Sequence, residues 1–184
     1  MTGLNKSRIM RLCGTLESRR YLLRDPENHC YKLGPRLLSL GKAFERRNNL
    51  ISLARPVLKE LAQSTGESAS LHIIDGLQRL CLAREEGTYS IRYAISEGQH
   101  LPLHAGAGSK VLLAYASEDL RRRVIEEQTL PKLTATTIVD PEEFRKEFDL
   151  IRRRGYAFSA GERDPDAGAL AAPVYDHENK VCAA

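Results

Sequence analysis

The stretch LPLHAGAGSKVLLAY, residues 101–115, is the most informative part of this sequence, because a loop of small residues runs directly into a helix-forming segment. Residues 105–109 read Ala-Gly-Ala-Gly-Ser, and Lys110 follows them. Phosphate-binding loops begin in a similar way, with glycines and a lysine at the N-terminus of a helix. The first question is therefore whether the chain binds a nucleotide.

The stretch departs from the phosphate-loop pattern G-x-x-x-x-G-K-[ST] at each defining position around Lys110. Ser109 replaces the glycine before the lysine, His104 occupies the first glycine position, and Val111 replaces the serine or threonine. The residues that lead into the loop, EGQHLPLHA, are polar and include a proline, so we expect no strongly apolar strand directly before it. The sequence therefore does not predict nucleotide hydrolysis.

Two interpretations of the small-residue loop remain. Small residues let the backbone approach a ligand closely, and the N–H groups at the start of the next helix would stabilise a carboxylate as they do a phosphate. Alternatively, the small residues only permit tight packing of the helix against a sheet. The spacing does not decide between them.

Patterns for catalysis and for metal binding are weak. His104 and Ser109 lack the G-x-S-x-G setting of a nucleophile, so we predict a hydrogen-bonded loop histidine and an ordinary helix serine. The acidic segment GERDPDAG, residues 161–168, lacks the rest of a calcium-binding loop, so the sequence favours a solvated turn over a metal site. We predict no catalytic residue, no metal and no cofactor.

Composition places the chain among globular proteins, with 42% hydrophobic and 28% charged residues in 184. No apolar run approaches the roughly 20 residues that span a bilayer, and the start MTGLNKSRIM lacks the apolar core of a signal peptide. The four cysteines show no metal-binding spacing, which favours reduced thiols over disulfides or zinc. We therefore expect a cytoplasmic protein that does not contact membranes.

The charge is distributed unevenly. Residues 1–50 contain 11 Lys and Arg against 4 Asp and Glu, whereas residues 51–184 contain 17 against 20. This asymmetry indicates two modules with different partners, of which only the first suits a polyanion such as DNA.

The basic module begins with a helix over about residues 6–18, capped by Asn5 or Ser7. Four polar or basic residues lie in its first turns, away from the apolar stripe: Lys6, Ser7, Arg8 and Arg11. A solvated charged face is the common alternative explanation. The apolar runs at residues 21–24 and 30–33 flank a proline-containing turn and predict a β-hairpin. Helix, hairpin and basic charge in this order indicate a winged helix-turn-helix.

The remaining sequence predicts helices and short strands in an α+β arrangement. Residues 35–48 are predicted to form a helix whose apolar stripe, outside a domain core, is typical of helices that pair with a partner, often from a second subunit. A second helix follows at about 51–64, and further helices are predicted at about 106–116, after Ser117, and from Pro141 to the residue before Gly155. Strands are predicted at ASLHIID, RLCLARE, SIRYAIS, from Tyr156, at GALAAPVYD and at KVCAA. Joined mostly by hairpins, they indicate an antiparallel sheet flanked by helices.

Three stretches together resemble the IclR family of transcriptional regulators. TGLNKSRIMRLCGTLESRRYLLRDPENHCYKLGPRLLSLG resembles the second half of that family's winged helix-turn-helix. LPLHAGAGSKVLLAY and GYAFSAGERDPDAGALAAPVYD resemble two signature stretches of its effector-binding domain. The match covers nearly the whole chain in the family's order.

The resemblance implies a regulator that binds operator DNA as a homodimer, usually assembled as a dimer of dimers, with a GAF-like domain for a small organic effector such as a carboxylate or aromatic acid. It implies a partial DNA-binding domain at residues 1–34, a linker helix at 35–50 and an effector domain at 51–184. The recognition helix would begin at Lys6 and use Lys6, Ser7, Arg8 and Arg11, with the 21–33 hairpin as the wing. The effector pocket would include Tyr93, Leu101, Ala107, Gly108, Ser159 and Ala169.

The sequence also departs from the family pattern. Members that bind small oxoacids can carry an acidic residue at the position of Ser159 and a cysteine at that of Ala169, so a larger ligand or another binding mode is expected here. By the same resemblance, the first DNA-binding helix and the final effector-domain strand and helix would lie beyond the two ends of this chain. A stand-alone small-molecule sensor without DNA binding is the alternative function, and an enzyme that acts on a small acid through His104 is a third.

Overall fold

The computed structural model describes residues 3–89, 95–127 and 129–184. The chain divides into two compact units, Met1–Ser52 and Leu53–Ala184. The predicted strand SIRYAIS lies largely outside the described residues.

The first unit begins with helix α1, Lys6–Ser18, as the sequence predicts. The Asn5 side chain caps it by accepting a hydrogen bond from the Arg8 N–H at 2.9 Å. The predicted hairpin follows as strands β1 (Leu22–Arg24) and β2 (Tyr31–Leu33), which pair antiparallel.

Helix α2, Arg36–Arg47, completes this unit, and helix α3, Asn49–Thr65, contains the division between the units. Neither α1 nor α2 buries any of its residues. The apolar residues of α2 that the sequence assigns to a partner helix are all exposed: Leu37, Leu38, Leu40 and Phe44.

The second unit contains a three-stranded antiparallel sheet formed by β3 (Ala69–Asp75), β4 (Gln78–Glu85) and β5 (His100–Pro102), in that order. No strand was predicted at β5, where the sequence indicated only that no strongly apolar strand leads into the small-residue loop. A strand forms there because three residues are enough to pair with the edge of β4. On the other edge of β3, His72 and Ala184 exchange two backbone hydrogen bonds, of 2.8 and 2.9 Å, which extend the pairing.

Three helices lie after this sheet: α4 (Ala107–Tyr115), α5 (Glu118–Ile125) and α6 (Pro141–Arg154). Their ends follow local signals in the sequence. Ser117 caps α5, and the Asp140 carboxylate accepts hydrogen bonds from two backbone N–H groups at the start of α6. The helix α6 ends at Gly155, whose φ of 79° is left-handed.

The last four strands form two antiparallel pairs, β6 (Ala157–Ala160) with β7 (Gly168–Ala171), and β8 (Val174–Tyr175) with β9 (Val181–Ala183). All strand pairs among the described residues are antiparallel, which confirms the predicted α+β class.

The core of this unit forms around α4, which is buried along nearly its whole length. Val111 and Leu113 of α4 are fully buried in one cluster with Phe144 and Phe148 of α6, whose rings stack with centroids 5.7 Å apart. Because α4 is fixed by this core, its N-terminal loop is held in one position against the sheet.

Candidate functional site

The loop before α4 adopts a conformation that requires glycine. Gly106 has φ 92° and ψ 156°, a region that residues with a side chain rarely adopt. Its N–H donates to Glu162 Oε2 at 2.9 Å, and the N–H of Ala107 donates to Ser159 Oγ at 3.1 Å. Two side chains from the β6 region therefore cap the helix. Gly108 and Ser109 follow in the first turn, where N–H groups have no acceptor within the helix.

A buried ion pair ties this helix to the loop after β6. Lys110 Nζ lies 2.6 Å from Glu162 Oε1, and it also donates to the Phe158 carbonyl at 2.8 Å. Glu147 of α6 is 3.2 Å from the same ammonium group. Only 6% of Glu162 is exposed, so the prediction of a solvated turn is wrong for this residue. It is buried because it has both a cation and a backbone N–H as partners, which compensate the loss of water.

Arg79 of β4 packs its guanidinium group over the loop. A Cβ atom on Gly108 would lie 2.7 Å from Arg79 Nη1, and one on Gly106 would lie 3.6 Å from Nη2. The Arg163 side chain also approaches the Gly106 position, with its Cδ at 3.2 Å. The small residues therefore make room for two arginine side chains at the positive end of the helix.

His72 of β3 lies beside Arg79 on the same face of the sheet. Its Cδ2 is 3.6 Å from the Cβ position of Gly108, and only 5% of the residue is exposed. Among the described residues, no hydrogen-bond partner is found for its buried Nδ1 atom. Burial, followed by the charges of Arg79, Arg163 and Arg84, lowers the pKa of His72 to about 3. The imidazole is therefore neutral at physiological pH.

Basic groups surround the start of α4, although the Glu162 carboxylate also lies there and accepts the Gly106 N–H. The N-terminus of α4 carries a partial positive charge, and the guanidinium group of Arg79 and the aliphatic part of the Arg163 side chain lie against the same loop. The groups whose charge acts on His72 are all arginines. Such a site favours a bound anion, and a carboxylate is matched by a guanidinium group and by helix N–H donors.

Comparison with known proteins identifies the chain. The family model described as "Bacterial transcriptional regulator IclR C-terminal" matches residues 43–184. The chain belongs to the IclR family of transcriptional regulators. This confirms the resemblance seen in the sequence.

Named relatives and solved structures agree with the family assignment. The chain is 34% identical to the HTH-type transcriptional regulator BhcR of Paracoccus denitrificans over 96% of its own length and 63% of that protein. It resembles the crystal structure of an IclR transcriptional regulator from Alicyclobacillus acidocaldarius with TM-score 0.87 and 33% identity, covering 98% of this chain and 73% of that one. These relatives are transcriptional regulators and not enzymes, as the sequence predicts.

A further solved structure is an IclR homologue from Microbacterium hydrocarbonoxydans complexed with 4-hydroxybenzoate. It covers 98% of this chain and 74% of that chain with TM-score 0.82 and 23% identity, a likeness that shows the fold. The α+β, GAF-like architecture predicted for the IclR effector domain is thereby confirmed.

The structure brings several of the predicted effector residues together. Ala107 and Ser159 are hydrogen-bonded, and Gly108 lies in the next position of α4. Leu101 is buried on β5 directly opposite Arg79. Ala169 lies opposite Ser159 in the β6–β7 pair but is exposed.

The sequence analysis expected bare backbone at Ala107 and Gly108, but the Ala107 N–H already donates to Ser159. Tyr93, predicted to line the pocket, lies outside the described residues.

Four residues around the start of α4 were not predicted from the sequence as effector-site residues: His72, Arg79, Lys110 and Glu162. A signal for the first two exists in the alternation of β3 and β4, where a polar side chain on a buried face is unusual. His72 pairs with Cys81, which is fully buried, so both side chains point to the same covered face. Alternation alone does not show what covers that face.

The residues considered for catalysis are engaged with backbone carbonyls. His104 Nε2 lies 3.0 Å from the Pro131 carbonyl oxygen, and the Ser109 hydroxyl donates to the Pro102 carbonyl at 2.8 Å. Burial lowers the pKa of His104 below its ordinary value. The structure thus agrees with a hydrogen-bonded loop histidine and an ordinary helix serine.

The described part of the chain contains no group of three or more His, Cys, Asp or Glu side chains that could hold a metal ion. Within the same residues, no helix is long and apolar enough to cross a membrane.

A separate groove of about 550 Å³ lies at the C-terminal end of α4. Tyr115 and Tyr175 line it and meet edge to face, with ring centroids 6.2 Å apart. None of the predicted effector residues that the structure describes lines this groove.

The predicted DNA-contacting residues occupy one end of α1. Lys6, Ser7, Arg8 and Arg11 are all exposed. At about 100° of rotation per residue, the last three project within an arc of roughly 100°, so they form one continuous polar surface.

Proposed function

We propose that this chain is part of a ligand-responsive, DNA-binding transcriptional regulator whose effector is a small carboxylate or aromatic acid. The observation that carries the effector assignment is the set of basic groups around the N-terminus of α4, where Arg79 packs on Gly108. The carboxylate would bind the guanidinium group and the helix N–H donors, and Leu101, Ser159 and Ala169 would surround the rest of the molecule. The binding of 4-hydroxybenzoate by a protein of the same fold supports an organic acid.

DNA binding is assigned to residues 1–34. The exposed polar surface of α1 has the charge for phosphate contacts and the side chains for base contacts, with Arg8 and Arg11 as the best base readers and Lys6 as a phosphate contact. The β1–β2 hairpin is proposed as the wing. These assignments are supported by the excess of basic residues in this part of the chain and by the family's role.

Subunit pairing is assigned to the linker at residues 35–50. Leu37, Leu40 and Phe44 recur at helical spacing on α2 and are 38–54% exposed in this chain. Burying this stripe against the same stripe of a second subunit would remove it from water and give a homodimer, from which a dimer of dimers can assemble. The effector domain is then residues 51–184.

Two measurements test this function on the full-length protein. Thermal unfolding with a panel of carboxylic acids should show stabilisation, by about 2.7 kcal/mol when an acid is present at a hundredfold excess over its Kd. Electrophoretic mobility shifts with selected duplexes should show specific binding that the same acids change. Acid binding without any specific DNA binding would instead favour the stand-alone sensor, and failure of both measurements would overturn the proposal.

A further inference from the structure

Helix α3 contains a proline in its interior, close to the place where the two units of the chain divide. Pro56 has no N–H group, so it cannot donate the hydrogen bond that the Ser52 carbonyl would accept in a regular helix. A missing bond of this kind weakens a helix locally and is a common cause of bending. The turns before Pro56 are therefore joined to the rest of α3 less firmly than in an uninterrupted helix.

The residue directly before this proline is fixed to another part of the fold by two parallel hydrogen bonds. Arg55 Nη1 donates to Glu97 Oε1 at 2.9 Å, and Nη2 donates to Oε2 at 3.0 Å. A second carboxylate, that of Glu85, lies 3.6 Å from Nη1. Paired hydrogen bonds between a guanidinium group and a carboxylate define both the distance and the orientation of the two side chains. This contact is called the Arg55–Glu97 fork.

Glu97 is in turn held in place by β4. Its Oε1 atom accepts the backbone N–H of Arg84 at 2.8 Å. The two residues that follow it, Gly98 and Gln99, exchange backbone hydrogen bonds of 2.8 and 3.0 Å with Cys81. Strand β5 begins at the next residue. The fork therefore connects α3, one residue before its interior proline, to the turn that leads into β5.

Apolar burial holds the two parts of α3 unequally. Of the residues of α3, all of which the structure describes, Leu58 and Ala62 are buried after the proline, and Ile51 is the one buried residue before it. At about 100° of rotation per residue, Arg55 projects to the same side of the helix as these three. The part before Pro56 therefore relies more on the fork than the part after it does.

We propose that α3 has a hinge at Pro56 and that the Arg55–Glu97 fork is the latch that holds the turns before it in place. A displacement of the turn before β5 that breaks the fork releases these turns, which then bend relative to the rest of the helix. The position of this turn and the conformation of α3 next to the division between the units are thereby coupled. The inference goes beyond the proposed function and does not depend on acid binding at α4.

Hydrogen exchange of backbone amides, measured by mass spectrometry on overlapping peptides of the full chain, tests the latch. Arg55→Met removes the fork and keeps most of the aliphatic side chain. Exchange in residues 49–55 should become roughly three- to tenfold faster, which corresponds to the loss of one net hydrogen bond, whereas exchange in residues 57–65 should stay unchanged. Arg55→Lys keeps the charge without the paired geometry and should give an intermediate rate.

Pro56→Ala tests the hinge. Its new N–H group can donate to the Ser52 carbonyl, which joins the two parts of α3 into one continuous helix. When Arg55→Met is combined with Pro56→Ala, the acceleration in residues 49–55 should be smaller than in Arg55→Met alone. Arg122→Met is the matched control, because this arginine also contacts two carboxylates, and exchange in both parts of α3 should remain that of the wild type.

Three results would overturn the inference: faster exchange along the whole of α3 in Arg55→Met, no change in residues 49–55, or an equal acceleration with and without Pro56. If Arg55→Met does not fold, as judged by circular dichroism, Glu97→Gln is measured in its place. That variant removes the charge of the other partner, and the same pattern is expected. Each of these failures leaves the proposed function standing, because acid binding is tested separately by thermal unfolding.

Discussion

Lys110 and Glu162 form a buried ion pair, with Nζ 2.6 Å from Oε1, that joins the first turn of α4 to the loop after β6. Both side chains are less than 10% exposed, and the other carboxylate oxygen of Glu162 accepts the N–H of Gly106. The pair therefore fixes the small-residue loop through the Gly106 N–H and the first turn of α4. The geometry of the proposed acid site therefore depends on Lys110 and Glu162, to which no contact with the acid is assigned.

Removing the cation from this pair should destabilise the fold strongly. Lys110→Met leaves the Glu162 carboxylate without its buried cation, while Glu147 keeps Arg154, and we expect a loss of about 3–5 kcal/mol in the free energy of unfolding. Chemical denaturation followed by circular dichroism measures it. Lys180→Met is the matched control, because its partner Glu178 is exposed, and it should cost less than about 1 kcal/mol. Similar losses in the two variants would contradict a structural role for the pair.

Adding a single methyl group to the loop should impair acid binding without unfolding the protein. The new Cβ of Gly108→Ala would lie 2.7 Å from Arg79 Nη1, so the guanidinium group must move away from the helix N-terminus. Because the flexible end of Arg79 can yield and alanine favours helix, the stability should change by less than about 1 kcal/mol. Affinity for acids should fall on the order of tenfold, measured by calorimetry. The control variant is Gly41→Ala, whose new Cβ would have no other atom within 4 Å. It should bind acids with the affinity of the wild type.

Lowering the pH should destabilise the protein, in part through His72. The folded-state pKa of about 3 lies below the ordinary value of 6.5, so between these values the unfolded chain binds a proton that the folded chain does not. The stabilising contribution is complete above pH 6.5 and is lost as the pH falls toward 3, by up to about 1.4 kcal/mol per pH unit. Urea unfolding of the wild type and His72→Phe at several pH values measures it. The wild type should lose stability more steeply, and parallel curves would argue against a neutral, buried His72.

Arg8 and Arg11 on α1 should contribute to the sequence specificity of DNA binding, whereas Lys6 should contribute only to its strength. Replacing Arg8 or Arg11 with alanine should cost about 1–3 kcal/mol and relax specificity if either reads a base edge. Lys6→Ala should weaken binding to all sequences equally and reduce the salt dependence by about one unit of slope. Fluorescence anisotropy with selected duplexes at several salt concentrations gives both values. Arg123→Ala, exposed on α5, should leave them unchanged, and an equal loss in this control would show that charge alone is being measured.

Most secondary structure was predictable because its signals are local. Asn5 caps α1, Ser117 caps α5, and Asp140 caps α6, each through backbone N–H groups two or three residues away. Gly155 ends α6 with the left-handed conformation that glycine adopts most easily. The short strand β5 was missed because three residues give too little alternation to recognise.

The candidate site was only partly predictable. The glycines of the loop before α4 indicated a close approach, but the sequence left open whether a ligand or a packed element makes it. The structure shows that side chains of Arg79 and Arg163 approach the loop. Glu162 looked like one of several solvated acids, since nothing near it in the sequence indicates that Lys110, 52 residues away, neutralises it.

The sequence by itself determined the family, the order of the elements and the separation of a basic from a slightly acidic module. These features could be recognised because capping residues, motifs and local composition are each contained in a short stretch of sequence. Tertiary structure alone decided which polar groups are buried together at the start of α4. His72, Arg79, Lys110 and Glu162 come from four separate elements, and the free energy of burying each one depends on the charges and hydrogen-bond partners that the fold places beside it. That dependence on distant partners is why the burial of these four groups could not be predicted from the sequence.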